Sequence, residues 1–207
     1  MNKSQLTNFI TKYTLGGEIK STKWTSDGTS LSTRFISGDK SVVGSVVLSK
    51  FNHLSPCELG VYNTGQLSSL LSVLGDDVEV SLSNSGDKFI SMEFVDTKRK
   101  TKSKYMLSDL SVIPTPPELK NLPDSFELGI KVDPYFVNTF ISGKGALSEA
   151  ETFTILTENG ETKIVIGYAS IASNRVTIPV ETTKSADIEP ISFNANMFAS
   201  ILNANKD

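Results

Sequence analysis

The 207-residue sequence predicts an α+β fold of two domains, each built from strand–helix–hairpin repeats. Three observations lead to this prediction: many short segments rich in β-branched and aromatic residues, four helix starts with one residue pattern, and a proline-rich segment that divides the chain. A chain of this length can form one large β-rich domain or two small ones, so the division rests on the pattern and not on the length.

Nine segments are typical of short strands, because they alternate partially between apolar and polar residues and are separated by turn sequences such as NSGD and ENGE. Strands joined in this way form antiparallel hairpins, so we expect antiparallel sheets. The segments span residues 30–37, 41–51, 78–84, 88–96, 103–109, 126–132, 152–158, 162–170 and 175–183.

A proline-rich segment at residues 110–125 is predicted to be an extended connector between a first domain, 1–109, and a second domain, 126–207. Its prolines lack the backbone N–H that a sheet needs, and they disfavour helix for the residues that precede them. The segment carries four of them: Pro114, Pro116, Pro117 and Pro123.

Four helices are predicted by a repeated pattern, in which an Asn or Asp is followed by apolar residues four, seven and eight positions later. That spacing puts the apolar residues on one stripe behind an N-cap. The caps are Asn2, Asn63, Asp133 and Asn194, which form two pairs offset by 131 residues. An offset shared by two pairs indicates that the second domain repeats the first.

Composition excludes several classes of protein. No stretch approaches the length of a membrane span, and the N-terminus lacks a signal-peptide core. A single cysteine, Cys57, and a single histidine, His53, leave no nucleophile–base pair, so we predict no catalytic residue, no metal site and no cofactor. A net charge of −3 argues against a protein that binds nucleic acid by bulk positive charge.

Two stretches, residues 61–90 and 193–207, resemble the DNA polymerase sliding clamps of tailed bacteriophages, and the likeness extends more weakly over the chain. The resemblance implies a two-domain DNA clamp fold, with sheets outside and short helices lining a homotrimeric ring around duplex DNA. It implies as partners a replicative DNA polymerase and a clamp loader, and as location the cytoplasm of the infected bacterial host. Such a ring tethers the polymerase and makes no bond itself.

The resemblance also implies sites on this chain. Subunits would join through one edge strand from each domain, formed by Ser103, Lys104, Tyr105, Met106 and Leu107 and by Arg175, Val176, Thr177, Ile178, Pro179, Val180 and Glu181. A groove for an apolar partner peptide would lie at Leu48, Val112, Ile113 and Pro114. The DNA-facing candidates are Lys3, Lys12, Lys20, Lys144 and Lys206.

The helix faces opposite the apolar stripes carry small neutral polar residues, so any attraction to phosphate has to come from lysines at their flanks. These nine residues are Ser4, Asn8, Thr11, Ser69, Ser72, Thr139, Ser142, Ser200 and Asn203. The basic run 96–105 is either a hairpin on the DNA side, a docking patch, or a solvated loop next to the interface strand. Two further functions stay open at this point: a β-rich, ring-forming phage structural or adaptor protein, and an enzyme with a deep pocket. The repeat also predicts about 33 further residues of sheet behind the last helix, which would leave Phe198, Ile201 and Leu202 more exposed than Leu67, Leu70 and Leu71.

Overall fold

The computed structural model describes residues 1–118, 123–169, 171, 173–184 and 186–206. The chain forms two compact units, Met1–Leu119 and Lys120–Asp207. The division falls inside the predicted connector 110–125, whose residues 119–122 lie outside the described part of the chain, as does the last residue of the predicted strand 162–170.

The described residues of unit 1 form two helices and seven strands in two antiparallel sheets. The first sheet has the strand order β3-β2-β1-β4, and the second has the order β5-β6-β7. The elements are α1 (Lys3–Thr14), β1 (Thr22–Ser26), β2 (Ser30–Ile36), β3 (Val43–Ser49), β4 (Cys57–Val61), α2 (Thr64–Ser72), β5 (Val78–Ser85), β6 (Lys88–Asp96) and β7 (Lys102–Met106), with 3-10 turns at Leu15–Gly17 and Leu110–Val112.

Unit 2 contains two helices and six short strands among its described residues. Four strands form a sheet in the order β11-β10-β9-β13, and β12 pairs with β8. The elements are β8 (Gly129–Ile130), α3 (Pro134–Ala146), β9 (Thr152–Glu158), β10 (Glu161–Ile166), β11 (Val176–Pro179), β12 (Thr182–Lys184), β13 (Ile191–Asn194) and α4 (Ala195–Ala204).

The internal repeat is visible in the sheet topology. In each unit a helix is followed by three strands of one sheet, later by a fourth strand that pairs with the first, and then by a second helix. In unit 2 the short β12, which pairs with β8, lies between the third and fourth of these strands. The four-stranded sheets therefore share the order third–second–first–fourth, and every pairing in them is antiparallel. This confirms the α+β fold that the sequence predicts.

All four predicted N-caps are confirmed. The side chains of Asn2, Asn63, Asp133 and Asn194 accept a hydrogen bond from a backbone N–H in the first turn of α1, α2, α3 and α4. These bonds satisfy donors that a helix start otherwise leaves free, which is why short polar side chains recur at these positions.

The strand predictions succeed where turn chemistry is strong. The ENGE turn joins β9 to β10, and its Asn159 and Gly160 have φ values of 55° and 78°, as the two-residue hairpin turn requires. Three strands, β1, β4 and β13, are not among the nine predicted segments. The predicted strand 126–132 forms only Gly129–Ile130, and 175–183 divides into β11 and β12.

Each unit has its own aromatic core. In unit 1 the rings of Phe9 and Tyr13 on α1 meet Trp24 on β1 edge to face, at centroid distances of 5.5 and 6.4 Å. In unit 2 the Phe198 ring of α4 lies 4.9 Å from Phe140 on α3 and 4.8 Å from Phe153 on β9. Aromatic pairs at these distances add to the stabilisation from burial.

The apolar stripes of α2 and α4 differ in exposure at one position. Leu67 is buried whereas its counterpart Phe198 is half-buried; Leu71 and Leu202 are both buried. Leu70 and Ile201 are both half-buried. The greater exposure predicted for the apolar stripe of α4 is therefore present at one of its three positions. Further sheet behind α4 stays a prediction. None of the described helices has the length and apolarity to cross a membrane.

Candidate nucleic-acid face and subunit edges

The outward faces of the helices are polar and uncharged. Within each unit the two helices pack against each other, α1 with α2 and α3 with α4. Seven of the nine small polar side chains predicted for the outward faces are exposed, and the other two, Thr139 and Ser200, are half-buried. The exposed ones are Ser4, Asn8, Thr11, Ser69, Ser72, Ser142 and Asn203.

A buried hydrogen-bond network fixes α1 and α2 on the first sheet. The Trp24 indole Nε1–H donates to the Tyr13 hydroxyl at 3.3 Å, and this hydroxyl lies 3.2 Å from Thr64 Oγ1. All three side chains are at most 1 % exposed. Burial raises the pKa of Tyr13, so the phenol stays protonated and neutral at physiological pH.

Three of the predicted DNA-facing lysines are accessible. Lys20 and Lys206 are exposed, and Lys12 is half-buried near the end of α1. Lys3 is more constrained, because its ammonium donates to the Leu74 carbonyl in the loop after α2. Its half-buried position leaves part of the side chain in contact with solvent.

The prediction for Lys144 is wrong. This side chain is only 8 % exposed, and its ammonium donates to the carbonyl of Ser148 at 2.7 Å. A lysine near a helix C-terminus stabilises carbonyls that lack a helical partner. Lys144 therefore stabilises the turn at the end of α3 and does not face a ligand.

The basic hairpin between β6 and β7 is organised by Asp96. The Asp96 carboxylate accepts N–H bonds from Arg99, Gly75 and Lys98, and these bonds hold the pKa of that carboxyl below its ordinary value. Lys98 forms an ion pair with Asp77 at 3.0 Å. Within the part of the chain that the structure describes, the exposed side chains of Arg99, Lys100 and Lys104 form no ion pair.

The outer edge of β7 carries free backbone groups. Leu107 N–H donates to Ile90 O across the β6–β7 pair, and hydrogen-bonded pairs alternate along an antiparallel ladder. Lys102, Lys104 and Met106 therefore direct their N–H and C=O groups away from β6. At the next outward position, Ser108 N–H donates to Gly60 O of β4, so the open part of the edge ends at Met106.

The side chains of β7 alternate between the core of unit 1 and solvent. Ser103 and Tyr105 are buried, whereas Lys104 and Met106 are exposed and Leu107 is half-buried. The Tyr105 hydroxyl accepts the Asn63 N–H at 2.9 Å, which ties the sheet to the start of α2. The backbone groups of Tyr105 bond to β6 and its side chain is buried, so the free groups of this edge belong to its neighbours Lys104 and Met106.

The outer edge of β11 follows the same geometry. Val180 N–H donates to Thr162 O, so Ile178 and Val176 bond to β10 while Thr177 and Pro179 face outward. Proline has no N–H and is tolerated in a sheet at an outward edge position of this kind. Arg175 and Glu181 flank the strand and are exposed; Val176 and Val180 are half-buried, and Ile178 is buried.

Other strands also end their sheets, so being an edge does not single out β7 and β11. In the described part of the chain β3, β5 and β13 each pair with one strand as well. The subunit interface stays a prediction.

The groove predicted beside the connector requires one correction. Ile113 is only 3 % exposed, and its side chain lies against Gly60 of β4. It therefore belongs to the core of unit 1 and cannot form an open groove wall. Val112 and Pro114 are exposed, and Leu48 on β3 is half-buried.

Comparison with known proteins identifies a fold. No protein-family model matches the sequence, and no curated protein matches it. Among solved structures, the chain is similar to PCNA from Thermococcus kodakaraensis, with a TM-score of 0.69 at 10 % sequence identity. The match covers 99 % of this chain and 83 % of that one. The described antiparallel sheets and short helices therefore form a PCNA-like sliding-clamp fold.

Proposed function

We propose that this protein is a sliding clamp that closes as a homotrimeric ring around duplex DNA and tethers a replicative DNA polymerase. The observation that carries the proposal is the clamp fold, which extends over 99 % of the chain. A ring holds its partner by topology, because a tethered enzyme stays at a high local concentration near the DNA. The protein would carry out no chemistry of its own.

The outward helix faces support sequence-independent contact with DNA. A sliding ring needs weak attraction to phosphate without base readout. Small neutral side chains provide a surface without specific contacts, and Lys12, Lys20 and Lys206, with part of Lys3, add a few mobile charges. The proposed location is the cytoplasm of an infected bacterium, where a clamp loader would open the ring.

We assign the domains as 1–109 and 126–207, joined by the connector 110–125. In the proposed ring, β7 of one subunit pairs with β11 of the next in a head-to-tail contact. The outward groups of Lys102, Lys104 and Met106 would then bond to Thr177 and to the Pro179 carbonyl. The partner peptide would bind beside Leu48, Val112 and Pro114.

A proline substitution tests this pairing. Lys104→Pro removes an outward N–H and leaves the bonds from β7 to β6 in place, whereas Lys104→Ala keeps that N–H. We expect wild type and Lys104→Ala to have three times the 22.4 kDa mass of one chain in light scattering at several concentrations, and Lys104→Pro to be monomeric. A strictly monomeric wild type, or a trimeric Lys104→Pro, would contradict the proposed interface.

DNA topology tests the function itself. A loaded clamp should remain on nicked circular DNA and leave after the circle is cut, since it then slides off an end. It should also extend the products of its cognate polymerase on primed circular DNA when a clamp loader is present. A trimeric ring that does neither would favour a ring-forming structural or adaptor protein, and turnover of a small molecule would favour an enzyme.

A further inference from the structure

A pocket of about 480 Å³ lies within unit 1, beside the start of β6 and the end of β7. Its apolar side chains are Phe89, Ile90, Leu107 and Leu110. Phe89 and Ile90 are 37 % and 38 % exposed, although they are neighbours in a strand and would normally point to opposite faces. The volume is in the range of sites that bind small ligands and short peptide segments.

A β-bulge explains why both side chains are accessible. Ser83 pairs with Ser91 and Asn84 with Phe89, so Ile90 is the extra residue of β6. A bulge bends its strand and redirects side chains, and such features concentrate beside functional sites. The bulge is anchored, because Ile90 O accepts the Leu107 N–H. The pocket is therefore a built feature of the sheet.

The rim of the pocket is acidic. It carries three carboxylates, on Glu58, Asp87 and Asp109, and one lysine, Lys88. Lys88 is paired with Asp109, so their charges offset each other. Glu58 and Asp87 are exposed and have no ion-pair partner in the described part of the chain. The uncompensated charge at the rim is thus negative.

We propose that this pocket binds a short peptide segment of a partner protein, in which apolar side chains are flanked by lysine or arginine. The apolar side chains would cover Phe89 and Ile90, and the flanking cations would lie near Glu58 and Asp87. Charge complementarity selects this occupant, because an acidic peptide would be repelled at the rim. The proposal does not depend on ring closure or DNA, since every lining residue lies in unit 1.

Fluorescence anisotropy of the full chain with three labelled peptides tests the proposal. The probes are RLFLK, its acidic analogue ELFLD, and RSSSK, which keeps the cations and lacks the apolar core. We expect RLFLK to bind about tenfold more tightly than either analogue. Equal binding of RLFLK and ELFLD, or no RLFLK binding at millimolar protein, would overturn the proposal.

Substitutions locate the binding site. Ile90→Ser should weaken RLFLK binding about tenfold, whereas Val73→Ser, which removes an exposed apolar side chain of unit 1 outside the pocket, should leave it within twofold. The double variant Glu58→Lys and Asp87→Lys should reverse the preference toward ELFLD. The assignment would be refuted if Ile90→Ser did not change the affinity for RLFLK, or if the double variant still preferred RLFLK to ELFLD.

Two controls keep these results interpretable. Trp24 fluorescence shows whether each variant retains the fold of unit 1. Light scattering at the concentrations used shows whether a second copy competes for the pocket. A self-association that Ile90→Ser abolishes would mean that another copy of this chain is the occupant, and would overturn the peptide proposal.

Discussion

Removing one buried hydroxyl should loosen the helix pair proposed to face DNA. In Tyr13→Phe the Trp24 indole N–H loses its acceptor, and Thr64 loses its neighbour at 3.2 Å. All three side chains are buried, so water cannot replace the lost bonds without opening the core. A buried donor without a partner costs about 1–3 kcal/mol. We therefore expect the free energy of unfolding of unit 1 to fall by about 2 kcal/mol.

The chain has a single tryptophan, and it lies in this network, so its fluorescence reports unfolding of unit 1. With an unfolding entropy of about 2 cal/mol/K per residue, a loss of 2 kcal/mol lowers the melting temperature of a unit of this size by about 8 °C. The urea midpoint should fall by about 1 M with an unchanged slope.

Two comparisons check the reasoning. Tyr62→Phe removes a hydroxyl from an exposed tyrosine of the same unit and should change stability by less than about 0.5 kcal/mol. In a Thr64→Val background, Tyr13→Phe should cost less than it does alone, because the two hydroxyls share one bond. A Tyr13→Phe effect as small as that of Tyr62→Phe would refute the network as a source of stability.

Three further predictions concern caps, acid and DNA. Asn63→Ala and Asn194→Ala should each cost about 1 kcal/mol, measured by urea unfolding and by amide exchange of α4. Because the folded-state pKa of Asp96 is lowered, its stabilisation is full above the unfolded pKa and is lost as pH falls through the folded value; Asp96→Asn should flatten that loss in acid urea titrations. Lys20→Glu should weaken the salt-dependent binding of linear duplex DNA, whereas Lys144→Gln should lower thermal stability instead.

Each of these has a contrary outcome. If the two cap substitutions did not change the free energy of unfolding, packing alone would hold the helices. If the stability of Asp96→Asn fell with decreasing pH as steeply as that of wild type, the loss of stability in acid would come from other carboxylates. Equal binding of linear duplex DNA by wild type and Lys20→Glu would remove Lys20 from the DNA-facing set, and a Lys144→Gln variant of normal stability that binds DNA less well would restore Lys144 to it.

Local chemistry made much of the fold predictable. The hydrogen bonds of an N-cap involve residues at most three positions apart, and those of an Asn-Gly turn involve four consecutive residues. Both can therefore be predicted from the sequence, and every predicted cap formed. The offset of 131 residues between cap pairs likewise anticipated the matching sheet orders of the two units. By contrast β1, with the sequence TKWTS, has one apolar residue, and its strand state follows from the sheet on either side of it.

The candidate sites depended more on contacts between distant residues. The sequence does not distinguish a lysine that is exposed to solvent from one that donates to a carbonyl. Only the folded end of α3 shows that the Lys144 ammonium is hydrogen-bonded. Ile113 lies in a proline-rich segment of the kind typical of exposed connectors, yet it packs against β4. The bulge at Ile90 is invisible in sequence, because it exists only in the register between two strands.

The sequence by itself therefore determined the helix starts, the hairpins and the duplication, because those depend on neighbouring residues and on a repeated pattern. Tertiary structure decided which lysines are free, which backbone groups of β7 and β11 face outward, and where a pocket opens beside the connector. Those properties arise from pairing and burial between residues far apart in the chain, and no local preference encodes them.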